Sequence, residues 1–271
     1  MREVVFPGPD FDLPLIQSDV MPAGFRHAFT TRRGGASLAP FDSFNLGGKW
    51  GDDVGRVAEN RRRLRLAAGG RDVHFATQVH GRAITRVDAG AVASETIRVA
   101  ADGVITSAPD TSVGVYVADC VPILLADPRT GACGAVHAGW RGTVAGVLGQ
   151  AISALVEQAG ARPADLRVAV GPFIGPCCFE VGPEVVAAVT GAFPMAREAG
   201  AILVDKPRAH VDLGILNRLT ATALGVPVDA VDVAGLCTAC DSTRFYSYRR
   251  DHGKTGQLAA FVAREDAVTR A

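Results

Sequence analysis

An α/β domain built on mixed sheets is the fold class this sequence predicts, and three observations carry the prediction. Several strand-like segments, 113–118, 123–126 and 134–137 among them, are almost continuously apolar, which suits sheets covered on both faces. Amphipathic helical spacing recurs along the chain. Some neighbouring strand segments also follow each other with no helix between them, which a purely parallel winding does not allow. No linker long enough to divide two domains interrupts this pattern, so the 271 residues read as one domain.

Each element has a local cause. Asp52 or Asp53 supplies the N-cap of a first helix with Val54, Val57, Ala58, Leu64 and Ala67 at helical spacing, and Gly69-Gly70 ends it. Its Arg61-Arg62-Arg63 run reads as a solvated face. Strands are expected over 73–77, 83–87, 103–106, 113–118, 123–126 and 134–137. Thr143 then caps a second helix carrying Val144, Val147, Leu148, Ile152, Leu155 and Val156. A strand over 166–170 ends in Gly171-Pro172, helices follow over 183–192 and 213–224, and late strands over 228–233, 245–248 and 258–263.

Composition narrows the function classes. Lys+Arg and Asp+Glu are both 28, so the formal charge is zero and nothing calls for nucleic acid or an anionic membrane. Hydrophobic residues make up 48% of the chain, enough for a substantial core and too many for long disorder. The opening residues lack the basic and apolar regions of a signal peptide. The longest apolar runs carry Asp, Arg or Gly every few residues and cannot span a bilayer. The expected setting is the cytoplasm. Cysteines at 120, 133, 177, 178, 237 and 240 then read as reduced thiols, ligands or nucleophiles rather than a disulfide framework. Cys237-Thr238-Ala239-Cys240 is a C-x-x-C. Its late position argues against a thioredoxin-type pair, and a four-cysteine zinc site calls for a second C-x-x-C that the chain lacks. Structural thiols are the expectation there.

The stretch with most chemistry is Ala118-Asp119-Cys120-Val121-Pro122 followed by His137-Ala138-Gly139-Trp140-Arg141-Gly142-Thr143. It sets a thiol and an imidazole at the ends of adjacent strand-like segments, with Arg141 and glycines just beyond. Thr77-Gln78-Val79-His80-Gly81 ends another strand in the same way. His80, Cys120 and His137 match a catalytic zinc site with the fourth position open, and such ligands also accept copper. The same residue types serve equally as a nucleophile pair or as a buried thiol beside hydrogen-bonded loop histidines. Arg141 beside a helix start suits an anion or a salt bridge. Asn45 and the Asn60-Arg61 pair add polar groups, and 171–178 forms a turn-rich wall. Glu180 and Asp119 are acids by type only. His27, His74, His210 and His252 read as structural or surface residues.

These motifs, with Asn45-Leu46-Gly47, Gly51-Asp52-Asp53, Ala101-Asp102-Gly103, Gly175-Pro176-Cys177-Cys178-Phe179-Glu180-Val181-Gly182 and Phe245-Tyr246-Ser247-Tyr248-Arg249-Arg250-Asp251, run in order from about Phe25 to Val262. Together they resemble the YfiH/laccase-domain family of purine nucleoside phosphorylases, also labelled multicopper polyphenol oxidases. The resemblance implies a single domain of α/β/β/α layers, two mixed β-sheets flanked by helices. It implies a mononuclear zinc held by His80, Cys120 and His137, with copper as a substitute metal. It implies phosphorolysis of adenosine, inosine, guanosine and methylthioadenosine, with adenosine deamination beside it. Nucleoside and phosphate are then the partners, the protein being a monomer or a dimer. Cys120, Arg141, Arg61 and Asn45 are the residues expected to carry catalysis, the arginines by orienting phosphate.

Two positions depart from the family pattern, Lys49 where a histidine is usual and Gln257 where an arginine is usual, and either bears on substrate preference. A trinuclear copper centre needs many imidazoles in His-x-His pairs, whereas the chain has six histidines and no such pair. The nucleobase-deaminase signature of His-x-Glu with Pro-Cys-x-x-Cys is also absent. A Cys120-nucleophile hydrolase or amidase and a copper-dependent phenol oxidase stand as alternatives.

Overall fold

The structure is a computed structural model that describes residues 1–204 and 208–265. Three strands open the chain, β1 (Arg2–Pro7), β2 (Asp12–Gln17) and β3 (Phe25–Thr30). Helix α1 (Val54–Ala67) leads to β4 (Val73–His74), β5 (Ile84–Arg86) and the single turn α2 (Ala93–Thr96). Four strands follow, β6 (Gly103–Thr106), β7 (Ser112–Val117), β8 (Val121–Ala126) and β9 (Cys133–Ala138). Then come α3 (Trp140–Val144), α4 (Val147–Ala159), β10 (Arg167–Val170) and α5 (Pro183–Ala192). The chain closes with β11 (Ile202–Leu203), β12 (His210–Val211), α6 (Leu213–Ala223), β13 (Val231–Val233) and β14 (Leu258–Arg264).

Two six-stranded mixed sheets result, ordered β1-β2-β3-β14-β7-β4 and β13-β10-β8-β9-β6-β5. Because side chains alternate along a strand, each central strand feeds two cores. On β14, Leu258, Ala260 and Val262 pack between the sheets, while Ala259 and Phe261 join Leu64 and Ala67 of α1 on the outer face. On β8, Leu124 and Ala126 point into the inter-sheet core, while Ile123 and Leu125 meet Leu148, Ile152 and Leu155 of α4. The result is α/β/β/α layering. It also accounts for the uninterrupted apolar runs, since neither face of these strands meets water. Among the described residues no helix is long and apolar enough to cross a membrane.

Several expectations are corrected. The alternating strands β1 to β3 were not foreseen from the N-terminal residues; β1 has a largely exposed face and gains its place by pairing antiparallel with β2. Thr143 does not cap a helix: Gly139 caps α3, and a left-handed Gly146 (φ 81°) separates α3 from α4. Thr143 instead lies buried, its Oγ1 accepting from Asn217 Nδ2 at 3.2 Å. Residues 228–230 form a 3-10 turn before β13. Residues 245–248 form no strand: Phe245 and Tyr246 are fully buried side chains on a looped backbone, Tyr246 donating its hydroxyl to the Phe41 carbonyl at 2.5 Å. Their apolar content reflects packing, not ladder pairing.

Candidate metal centre

Sheet register brings the first two residues together. In the antiparallel β8–β9 pair, Val121 lies opposite Ala138 and Pro122 opposite His137, so Cys120, one residue before β8, faces the exit of β9. The chain turns there at Gly139. A Cβ on Gly139 would stand 3.0 Å from Cys120 Sγ and 3.2 Å from His80 Cδ2. Any side chain here would force the Cys120 sulfur or the His80 ring to give by a few tenths of an ångström.

His80 is delivered by a different device. The buried Asp102, next to β6, accepts backbone N–H groups from Val79, His80 and Gly81 at 3.3, 2.9 and 2.6 Å. This anion-centred nest holds His80 in the left-handed region at φ 60°, a conformation costing a non-glycine residue about 1–3 kcal/mol. The same carboxylate accepts from His137 Nδ1 at 2.9 Å. That bond fixes the proton on Nδ1 and turns Nε2 toward the Cys120 sulfur, so that Nε2 becomes the ligating nitrogen once it gives up its proton to make room for an ion, the orientation metal-binding histidines use. In the sequence Asp102 appears only within the Ala101-Asp102-Gly103 motif, with no role assigned to it. Its signal was an acid set one residue ahead of an apolar strand whose neighbour carries His137.

One donor atom from each of His80, Cys120 and His137 lies within 4.8 Å of the others, and the imidazole rings meet edge to face with centroids 4.8 Å apart. Bond lengths to zinc of about 2.0–2.3 Å put such donors roughly 3.3–3.8 Å apart, so the set fits a tetrahedral ion with small adjustment. His137 is buried, Cys120 half-buried and His80 exposed, which leaves the open side toward solvent. Burial alone would push the Cys120 thiol up, but the charge of His137 and hydrogen bonds from both histidines bring it down to about 6. Burial likewise works against charging His137, yet the Cys120 sulfur and Asp102 raise it. A thiolate is therefore ready at neutral pH.

The other predicted residues sort differently. Arg61 is exposed; its Nε donates to the Leu46 carbonyl at 3.0 Å and its guanidinium lies 6.0 Å over the Tyr116 ring. Tyr116 in turn exchanges two backbone hydrogen bonds with the Gln78 side chain, at 2.7 and 2.8 Å, which sets Arg61 at the His80 end of the molecule. Arg141 is exposed and folds over Trp140 at 4.4 Å. Asn45 is buried, and its amide gives both protons to Gly47 O and Asp52 Oδ2 while its oxygen accepts from Gly47 N and Gln257 N. All its hydrogen-bonding capacity is spent on the loop. Asn60 is spent too, tying α1 to Ala36, Ser37, Ser43 and Asn45. Asp119 accepts from Thr238 Oγ1, Ser247 Oγ and Arg249 N at 2.6, 3.0 and 2.7 Å, which makes it a loop anchor. Glu180 pairs with Arg208 at 2.9 Å beside a separate cleft of about 1070 Å³ that contains none of the three donors.

The expectation that Cys237 and Cys240 lack partners for a four-sulfur set is overturned. Cys177 and Cys178 reach them from another loop, and the four sulfurs lie within 4.8 Å of one another. The partners come from a vicinal pair, which a search for a second C-x-x-C does not find.

Residues 26–265 match the family model described as multi-copper polyphenol oxidoreductase laccase. The chain belongs to this laccase-domain family. Among relatives, it is 37% identical over 254 residues to the purine nucleoside phosphorylase YlmD of Geobacillus stearothermophilus, covering 91% of this chain and 93% of that one. A purine nucleoside phosphorylase of Pseudomonas aeruginosa is 40% identical over 245 residues, covering 90% and 96%. The crystal structure of the Bacillus licheniformis hypothetical protein YfiH superposes with a TM-score of 0.84 at 33% identity, over 93% of this laccase-domain chain and 96% of that one. The Geobacillus YlmD structure superposes with a TM-score of 0.83 at 32% identity, over 98% and 100%.

Proposed function

We propose that this laccase-domain protein is a zinc-dependent purine nucleoside phosphorylase of the cytoplasm, acting on adenosine, inosine, guanosine and methylthioadenosine and deaminating adenosine as a second activity. The observation that carries the reading is the convergence of His80 and Cys120 from two loops with His137 from the end of β9, in a chain whose relatives are named purine nucleoside phosphorylases. His80, Cys120 and His137 would hold the zinc, which when bound supplies Lewis-acid charge beside an open position. Copper in the same three donors would make phenol oxidation adventitious.

The chain's own residues do the rest. Asp102 fixes the tautomer and orientation of His137 and the backbone of His80. Arg61 and Arg141, both exposed guanidiniums, orient phosphate through charge-assisted hydrogen bonds. A phosphate oxygen attacks C1′ of the ribose while the C1′–N9 bond breaks, its electron pair leaving with the purine, which then takes up a proton. Asn45 acts as a positioning residue, shaping the loop that presents Leu46 to Arg61.

The test is incubation of purified protein with inosine and adenosine, with and without phosphate, and chromatography of the products alongside elemental analysis. Hypoxanthine released from inosine only when phosphate is present, by zinc-loaded protein, is the expected result. A Cys120→Ala protein should lose zinc from this centre and turnover while keeping its circular dichroism. Full activity without this cysteine would overturn the reading. One observation favours a second reading: Cys120, His137 and Asp102 line up as nucleophile, base and orienting acid. A Cys120 hydrolase or amidase would work in chelator and form a trappable thioester.

A further inference from the structure

The second sulfur cluster lies outside the centre just described. Cys177 and Cys178 sit on the turn after β10, and Cys237 and Cys240 on the turn after β13. The two turns are zipped together: Phe173 N donates to Leu236 O at 3.2 Å and Thr238 N to Phe173 O at 3.0 Å. Cys240 Sγ stands 3.5 Å from Cys177 Sγ and 3.3 Å from Cys178 Sγ. A disulfide needs sulfurs about 2.0 Å apart, and all six cysteines are free thiols. Four thiolates around a tetrahedral zinc, each about 2.3 Å from it, lie roughly 3.8 Å from one another. Separations of 3.3 and 3.5 Å, with all four sulfurs within 4.8 Å of one another, bracket that spacing.

Two features of the surroundings suit an ion held by thiolates. Gly175 N donates to Cys237 Sγ at 3.2 Å, the kind of N–H bond that stabilises sulfur carrying negative charge. A Cβ on Gly175 would lie 3.2 Å from Cys237 Cβ and 3.3 Å from Cys177 Sγ, so the turn is shaped around the sulfurs. Arg249 Nη1 donates to the Cys178 and Glu180 carbonyls at 3.3 and 3.0 Å, and Arg250 Nη1 to Thr238 O at 3.0 Å. The Arg249 guanidinium offsets part of the net double negative charge of a zinc tetrathiolate, whereas the charge of Arg250 is met by Asp251 at 2.8 Å. Cys177 and Cys240 are exposed, giving the ion an entry path.

We propose that Cys177, Cys178, Cys237 and Cys240 form a second, structural zinc site. Its place in the fold gives it a task. Asp119, adjacent to Cys120, accepts from Thr238 inside the C-x-x-C turn, and Asp119 O accepts from Ile174 N at 3.0 Å. A zinc ion joining the two turns locks the wall behind Cys120.

The His80→Ala/Cys120→Ala/His137→Ala protein, purified under reductant, isolates this site. It should bind about one zinc per chain, with release of the thiol protons. Cobalt(II) in its place should give intense thiolate-to-metal charge-transfer absorption. In the otherwise unaltered chain, Cys177→Ser/Cys178→Ser/Cys237→Ser/Cys240→Ser should lower zinc content by one per chain and reduce the thermal midpoint. If the triple variant takes up neither zinc nor cobalt, or if mass spectrometry of freshly purified protein finds these cysteines paired as disulfides, the site does not exist. Should the serine variant not fold, the cobalt spectrum of the triple variant decides. Neither outcome depends on the first centre holding a metal.

Discussion

Gly139 shows how little room the first centre leaves. Its missing side chain is the space between the Cys120 sulfur and the His80 ring. Gly139→Ala should push those donors apart and cost at least tenfold in metal affinity, read by chelator competition, with secondary structure intact; unchanged affinity would mean that the three donors do not share an ion. Asp102 works on the same donors from behind, since one carboxylate holds three backbone N–H groups and the His137 ring. Asp102→Asn keeps the shape but replaces one acceptor oxygen by a donor. Metal affinity should fall by about 10–100-fold, as for other carboxylates behind a ligating histidine, and turnover should fall with it. Asp102 is buried, so melting temperature must be followed in parallel to separate misfolding from mispositioning.

At the scale of elements, capping and register decide where these residues arrive. Asp53 accepts from Arg56 N at 2.9 Å and opens α1, the helix that carries Arg61 and, through Asn60, pins the 36–45 loop. Replacing Asp53 by Ala should cost about 1 kcal/mol of stability, measurable as a shift in urea midpoint with an unchanged slope. Its larger effect should fall on the phosphate KM if Arg61 orients that substrate, because a frayed first turn loosens the loop around Leu46. The β8–β9 register acts in the same sense: a one-residue slip would turn His137 to the opposite face of the sheet.

For the whole molecule, two histidines far from the centre contribute to the response to acid. Burial holds His27 below its ordinary value of 6.5, and Ser18 N donates to its Nε2 at 3.1 Å. Burial also lowers His74, whose Nδ1 meets Thr96 Oγ1 at 2.9 Å. Below pH 6.5 the unfolded chain takes up protons that these sites refuse, so their contribution is complete above that value and is lost as the pH falls toward their depressed folded values. The urea midpoint should therefore drop as the pH falls below about 6.5, and His27→Gln should flatten that slope. An equally steep slope in that variant would place the acid sensitivity elsewhere.

Much of this protein was legible in its residues. Helix α1 follows from Asp53 and the spacing of Val57 and Leu64, α5 from Pro183, and β6 to β9 from apolar runs too continuous for a one-sided sheet. The three donors were candidates in the sequence because thiols and imidazoles at strand ends are few, but the residues alone left a metal site, a nucleophile pair and a buried thiol open, and only the family resemblance pointed to a shared ion. What the residues left open was convergence. Cys120 and His137 meet through β8–β9 register, His80 through three backbone bonds to Asp102, and Cys177 and Cys178 reach Cys237 and Cys240 only because two turns pair across more than fifty residues of chain. Local pattern dictates which face of an element is apolar; it says nothing of which distant loop ends alongside it. That choice belongs to sheet order and packing, and here it determined both clusters.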